Sequence, residues 1–172
     1  MKISIFGLGY VGAVSAGCLA KQGHDVIGVD TYQPKVDSIN SGRTPIIEKD
    51  IGEIIKACVS NGNLKATTNV AEAIANTELS FICVGTPSLE NGGLDLRYVK
   101  AVCEEIGTAL KAKSTFHVVV ARSTMLPGTM HGVVIPLLEQ FSGKTAGIDF
   151  GVCINPEFLR EGVAVDDFLK PD

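Results

Sequence analysis

The chain has 172 residues, 15 Lys and Arg against 19 Asp and Glu for a formal net charge of −4, and 45% hydrophobic residues. That length holds one well-buried α/β domain and not two full ones, and the apolar content excludes a disordered chain. A net negative charge provides no broad electrostatic footprint for a phosphate backbone, so nucleic acid is not an expected partner.

The first feature in chain order is an uncharged stretch of 18 residues from Ile3 to Ala20, the length of a signal peptide or a short membrane span. Gly7, Gly9, Gly12 and Gly17 argue against both, because glycine weakens the helix such a segment must form. The stretch reads instead as a strand, a glycine-rich turn and an Ala/Leu-rich helix running to Gln22. No membrane segment is expected, and the expected location is cytoplasmic.

Strand-like runs follow at Lys2 to Phe6, Asp25 to Asp30, Leu64 to Thr67, Leu79 to Val84, His117 to Ala121 and Gly151 to Ile154. Between them lie helical patterns. Asp50 and Glu53 have the spacing of a capping box, followed by Ile51, Ile54, Ile55, Cys58 and Val59 at helical period and by Gly62 as terminator. Asp95 caps a second pattern, in which Val99, Cys103, Ile106 and Leu110 share one face. Pro34 and Pro127 suit first turns of helices, whereas Pro136 is expected to kink the helix containing it. Ser41 to Lys49 reads as the longest loop, and Asp166 to Asp172 lacks a terminal element, as expected where a chain continues. Apolar strands alternating with helices predict an α/β fold: a Rossmann-type doubly wound parallel sheet with helices on both faces.

Gly7, Leu8, Gly9, Tyr10, Val11 and Gly12 form G-x-G-x-x-G between a strand and a helix, and the second strand ends at Asp30, 18 residues beyond Gly12. This is the context a dinucleotide fingerprint requires. Gly7 permits the tight turn, Gly9 lets backbone approach a pyrophosphate, and Gly12 lets the helix pack on the strand. The amides of Tyr10 and Val11 would then face phosphate from a helix N-terminus. A carboxylate at Asp30 bonds both ribose hydroxyls and repels a 2′-phosphate, which favours NAD over NADP. Lys35 reads equally as a neutralising partner there and as a solvated helix lysine.

Two further strands end in polar loops, Val84-Gly85-Thr86-Pro87 and Arg122-Ser123-Thr124, placing Thr86 and Thr124 where open α/β sheets collect ligands. N-capping is the alternative for Thr124. After the last strand, Glu157 and Glu161 stand at i, i+4. On a helix they would share one face bordering the cleft, to hold water, act as base or grip a sugar; a solvated acidic face is the alternative.

Five scattered cysteines, Cys18, Cys58, Cys83, Cys103 and Cys153, read as reduced, buried thiols. The three histidines, His24, His117 and His131, have no second ligand at helical spacing, and no metal site is expected.

Taken in order, Gly7–Gly12, Gly28-Val29-Asp30, Val84–Pro87, Arg122–Thr124 with Pro127-Gly128, and Asn155-Pro156-Glu157-Phe158-Leu159 resemble the N-terminal NAD-binding domain of the nucleotide-sugar 6-dehydrogenases, the UDP-glucose and GDP-mannose 6-dehydrogenase family. The stretches Asn91–Leu96, Ser142–Lys144 and Asp149–Val152 are most similar to its GDP-mannose branch. The resemblance implies a two-step oxidation of a sugar C6 alcohol to a carboxylate with two NAD, through a cysteine-bound thioester. It assigns Tyr10, Val11, Asp30, Lys35, Thr86 and Thr124 to NAD, Glu157 to acid/base or water-orienting work in thioester hydrolysis, and Glu161 to the sugar nucleotide, GDP-mannose or UDP-glucose.

The nucleophilic cysteine of that family belongs to a later domain, and none of the five here has its context. Residues 1–172 are therefore expected to be the NAD-binding part of a longer, homo-oligomeric enzyme, with a link to a second half beginning near residue 162, and to be inactive alone. In the GDP-mannose branch the product feeds a uronic-acid polysaccharide of the alginate type. A stand-alone dinucleotide-binding module without catalysis is the reading from another class.

Overall fold

Each β-branched run becomes a strand, in a computed structural model that describes residues 1–90 and 92–171. The strands are β1 (Lys2–Phe6), β2 (Asp25–Val29), β3 (Leu64–Thr67), β4 (Leu79–Ile82), β5 (Val118–Ala121) and β6 (Gly151–Ile154). All pair in parallel, in the order β3-β2-β1-β4-β5-β6. The chain builds outward from β1 on one side and then crosses to build on the other. The switch point, where such sheets bind ligands, lies between β1 and β4. This is the expected Rossmann-type fold.

The two faces of β1 feed two cores. Ile3 and Ile5 join a cluster with α1 (Tyr10–Lys21), α3 (Ile51–Ser60) and α7 (Ala164–Leu169). Phe6 points the other way, into a cluster with α4 (Val70–Asn76), α5 (Arg97–Lys111) and α6 (Ile135–Ser142). The remaining helix, α2 (Gln33–Asn40), carries Pro34 in its first turn and buries Val36 and Ile39. In α5 the expected face, Val99, Cys103, Ile106 and Leu110, is buried. Each large apolar side chain so buried contributes about 1.5–3 kcal/mol.

Helix ends depart from expectation in instructive ways. Gly62 does end α3: at φ +80 its amide donates to Val59 and that of Asn63 to Cys58, closing a Schellman turn. The start of α3 carries no capping box, because Asp50 is left-handed (φ 63) and a cap side chain reaches the first-turn amides only from extended backbone. Asp95 is displaced by one position from the Leu96 N-cap of α5 and accepts the Arg97 amide and guanidinium instead. Pro127 sits in a turn just before the helical run rather than in its first turn. Pro136 lies in the first turn of α6, and upstream a π turn over Met130–Val134, in which Ile135 donates to Met130, absorbs the irregularity.

The longest connection is 83–96, not Ser41 to Lys49; Asn91, within it, lies outside the described residues. Of the closing stretch, Asp166–Leu169 belongs to α7, whose Ala164 and Val165 are buried against α1, while Asp172 lies outside the described residues. No helix among the described residues is long and apolar enough to cross a membrane.

Candidate functional site

The carboxyl ends of β1, β2, β4, β5 and β6 open on one side of the sheet, and the predicted residues collect there. The Gly7 amide donates to the Val29 carbonyl at 2.8 Å, and Gly7 is at φ +94. A Cβ at Gly12 would stand 1.7 Å from the Gly7 carbonyl oxygen, so only glycine lets α1 start this close to β1. At Gly9 a Cβ would meet nothing within 4 Å. Gly9 is the N-cap of α1 and brings no side chain to the first-turn amides, and that turn holds no acidic residue. The Tyr10 and Val11 end of α1 is thus an uncapped helix start facing open space, the arrangement that accepts an anion.

Asp30 directly follows β2, beside it. Its Oδ2 accepts the Leu8 amide at 2.8 Å and Lys35 Nζ at 3.3 Å, and Oδ1 accepts the Tyr32 amide at 2.9 Å. Lys35 thus pairs with Asp30 while its side chain stays partly exposed. Next to Asp30 a groove of about 150 Å³ runs between Val29, Val70, Val84, Tyr98 and Val102. Its apolar walls and polar end suit an adenosine. A larger cavity of about 1050 Å³ lies between α4 and α5, among Thr68, Ala75, Glu104, Thr108 and Phe141. It holds none of the predicted residues and adjoins the groove beside Asp30 through Thr68, Val70 and Glu105.

Thr86 and Thr124 meet directly: the Thr86 hydroxyl donates to the Thr124 carbonyl at 2.8 Å. Thr124 lies six residues before the π turn, whose N-cap is Thr129, so capping is not its role. Ser123 adds a second tie, its hydroxyl donating to the Val84 carbonyl.

Glu157 and Glu161 do not share a helix face, because 155–160 is irregular and α7 starts only at Ala164. Pro156 favours extended backbone in the residue before it, and the Glu157 carboxylate turns back to accept the Leu159 amide. Both lie in the stretch that follows the carboxyl end of β6, between Asn155, which is bonded to Arg122, and Gly162, which is bonded to Glu48. Arg122 anchors the start of this segment by donating to Asn155 Oδ1, with its guanidinium over the Phe168 ring at 5.2 Å. Further along, Asp167 accepts the Arg160 amide at 2.9 Å and its guanidinium at 2.6 and 3.2 Å.

Glu48, in the loop before α3, was not marked by any sequence pattern. Its Oε2 accepts the Tyr10 hydroxyl and the Gly162 amide, the latter at 2.7 Å, and its Oε1 accepts the Lys49 amide at 3.0 Å. These bonds hold the Glu48 carboxyl below the usual carboxylate range. Burial, and then Glu48, push Tyr10 up to about 12. Only the one-residue step between Glu48 and its loop neighbours is visible in sequence; the contacts with Tyr10 and Gly162 span 38 and 114 residues.

Four cysteines are buried as expected, but Cys153 is exposed near the end of β6, the last strand in the sheet order. Burial pushes Cys18 up to about 11 and both Cys83 and Cys103 up to about 12, and raises Cys58 and Cys153 too. A nucleophilic thiol needs the opposite shift. Among the described residues no three His, Cys, Asp or Glu side chains gather to hold a metal.

The sequence profile of the UDP-glucose/GDP-mannose dehydrogenase family, NAD binding domain, matches residues 1–172. The chain belongs to this family. The GDP-mannose 6-dehydrogenase of Azotobacter vinelandii is 58% identical over 171 residues, covering 99% of this chain and 39% of that protein. The UDP-glucose 6-dehydrogenase of Haloferax volcanii is 42% identical, covering all of this chain and 40% of that protein. A ternary complex of GDP-mannose dehydrogenase from Pseudomonas aeruginosa superposes with a TM-score of 0.98 at 56% identity, over 99% of this chain and 39% of that one. The chain thus spans 39% of the length of the GDP-mannose dehydrogenases it matches.

The residues present fit the cofactor in the family's description. Open space over Gly9, the uncapped start of α1, the Asp30 carboxylate and the adjoining apolar groove are what a pyrophosphate, a ribose and an adenine require.

Proposed function

We propose that the protein is a GDP-mannose 6-dehydrogenase, oxidising the C6 alcohol of the sugar nucleotide to a carboxylate with two NAD, and that residues 1–172 are its NAD-binding domain, with a link to the remainder beginning near 162. The observation that carries this reading is the identity gradient: 58% to a GDP-mannose enzyme against 42% to a UDP-glucose enzyme over the same residues. The conversion removes four electrons, which bound NAD accepts as one hydride in each of two oxidations.

The chain's own residues divide the work. The Tyr10 and Val11 amides hold the pyrophosphate, with Gly9 leaving room for it. Asp30 takes the ribose hydroxyls while Lys35 balances its charge, and Thr86 and Thr124 flank the nicotinamide end from the β4 and β5 loops. Glu157 acts as acid/base or orients water where the thioester is hydrolysed, and Glu161 meets the sugar nucleotide. The nucleophilic cysteine is not among the five here, since burial raises each of these thiols where a nucleophile needs the opposite shift. Residues 1–172 alone are accordingly inactive. The protein is read as a cytoplasmic homo-oligomer supplying a uronic-acid polysaccharide, binding neither nucleic acid nor membrane. The net charge of −4 over residues 1–172 supports the absence of a nucleic-acid partner, and the four glycines between Ile3 and Ala20 the absence of a membrane segment there.

The test is NADH formation by the full-length gene product with NAD and either GDP-mannose or UDP-glucose. Turnover of GDP-mannose, with acyl-enzyme accumulating by intact mass in E157Q, is the expected result. Preference for UDP-glucose overturns the substrate assignment, and turnover of neither overturns the enzymatic reading.

A further inference from the structure

Three segments far apart in sequence meet at one carboxylate. Glu48 comes from the loop between α2 and α3, Tyr10 from the glycine turn, and Gly162 from the stretch after β6 that carries Glu157 and Glu161. Tyr10 has a double attachment: its backbone lies at the anion-accepting start of α1, while its hydroxyl reaches Glu48 and lies 3.4 Å from the Arg160 carbonyl. Gly162, at φ +91, turns the chain so that its amide faces Glu48. The other end of the stretch is held by Arg122 on Asn155. Glu157 and Glu161 therefore hang between two anchors, one fixed to β5 and the other to the glycine turn through Glu48.

We propose that Glu48 is a positioning residue that clamps the 155–163 segment to the Tyr10 side chain, so that the carboxylates facing the substrate are set in place against a dinucleotide site whose backbone α1 and β1 hold by themselves. The proposal rests on the dehydrogenase reading for what Glu157 and Glu161 do, and on geometry alone for the clamp. Glu48 touches neither ligand in this scheme; it acts through Tyr10 and Gly162. The contact is half-exposed, so water takes over the freed Tyr10 hydroxyl and Gly162 amide when the carboxylate is removed. The fold then survives while the segment loosens.

The experiment compares E48A, E48Q, Y10F and E48A/Y10F in the full-length gene product. E48A is expected to lower kcat/KM for GDP-mannose by about tenfold or more, with NADH affinity and Tm within about twofold and a few degrees of the parent. E48Q keeps an acceptor oxygen for Gly162 and is expected to recover part of the loss. Because Glu48 and Tyr10 act through one bond, E48A in the Y10F background should add less than about twofold. Amide hydrogen exchange of residues 155–163 without substrate should be faster in E48A than in the parent. Kinetics and exchange in E48A equal to the parent's overturn the clamp, as does an equal fall in kcat/KM, NADH affinity and Tm, which marks a merely structural residue. A parent that turns over neither sugar nucleotide overturns the dehydrogenase reading instead, and the exchange comparison then decides the clamp by itself.

Discussion

Asp30 Oδ2 accepts the Leu8 amide at 2.8 Å, joining the end of β2 to the middle of the glycine turn. The residue assigned to ribose therefore also shapes the turn assigned to pyrophosphate. Asp30→Ala removes the acceptor for Leu8, Tyr32 and Lys35 together with the charge. NADH binding measured by calorimetry should weaken by about 1–3 kcal/mol, as for a lost charge-assisted contact. Discrimination against NADPH should narrow because the repelling carboxylate is gone. Unchanged affinity for both cofactors would remove Asp30 from the ribose site.

At the opposite end of the sheet, His117 is fully buried, with Nε2 2.7 Å from Ser80 Oγ and Nδ1 3.2 Å from the Thr77 carbonyl. Since a carbonyl only accepts, Nδ1 carries the proton in the neutral ring. Burial first, and then the Lys113 ammonium, push His117 from 6.5 down to about 4. The unfolded chain thus binds the extra proton first as pH falls. Stability from this group is complete above about pH 6.5 and is lost as pH drops towards 4, by about 3 kcal/mol at about 1.4 kcal/mol per pH unit. Urea midpoints of the parent should fall across this window, and those of His117→Asn should fall less. Parallel curves would show that His117 does not titrate as its burial demands.

Two helical glycines should respond to alanine with opposite signs. In α3, a Cβ at Gly52 comes no closer than 3.6 Å to Thr44, an ordinary contact. Gly52→Ala should therefore gain helix propensity and stabilise by up to about 1 kcal/mol. In α5, a Cβ at Gly107 would stand 2.8 Å from Phe141 Cβ and 3.1 Å from the Leu138 carbonyl oxygen. Gly107 is where α5 and α6 approach, so Gly107→Ala must push the helices apart and should cost about 1–3 kcal/mol. Thermal unfolding distinguishes the two; a stabilised Gly107→Ala would contradict the packing of α5 on α6.

The strands were legible because a parallel sheet covered on both faces writes each strand as a short apolar run, and the glycine turn because its chemistry fixes its spacing. What stayed hidden depends on relations across the chain. Asp50 has the residue type of a cap, but its backbone angle is set by the loop leading from Glu48. Glu157 and Glu161 have helical spacing, yet Pro156 and the turn at Gly162 keep them off a helix. Cys153 lies in an apolar run as the buried cysteines do, yet it is exposed near the end of β6, where the burial of the strand gives out. Glu48 has no local signature at all, since its partners are 38 and 114 residues away.

The glycine turn permits the sharpest separation of folding from binding. Gly9→Ala puts a methyl group where nothing lies within 4 Å, at a backbone φ of −78 that any residue adopts. The fold and Tm should therefore match the parent. The methyl nevertheless occupies the approach to the first-turn amides of α1, and NADH affinity should fall by about tenfold or more. Gly12→Ala meets the Gly7 carbonyl oxygen at 1.7 Å, a clash with backbone that no rotamer relieves. It should destabilise by more than about 3 kcal/mol or prevent folding, and any binding defect is secondary. Tm and NADH titration on the two variants give opposite patterns if Gly9 serves the ligand and Gly12 serves the packing. Normal NADH binding by Gly9→Ala would move the pyrophosphate away from this turn, and a Gly12→Ala protein as stable as the parent would contradict the contact between α1 and β1.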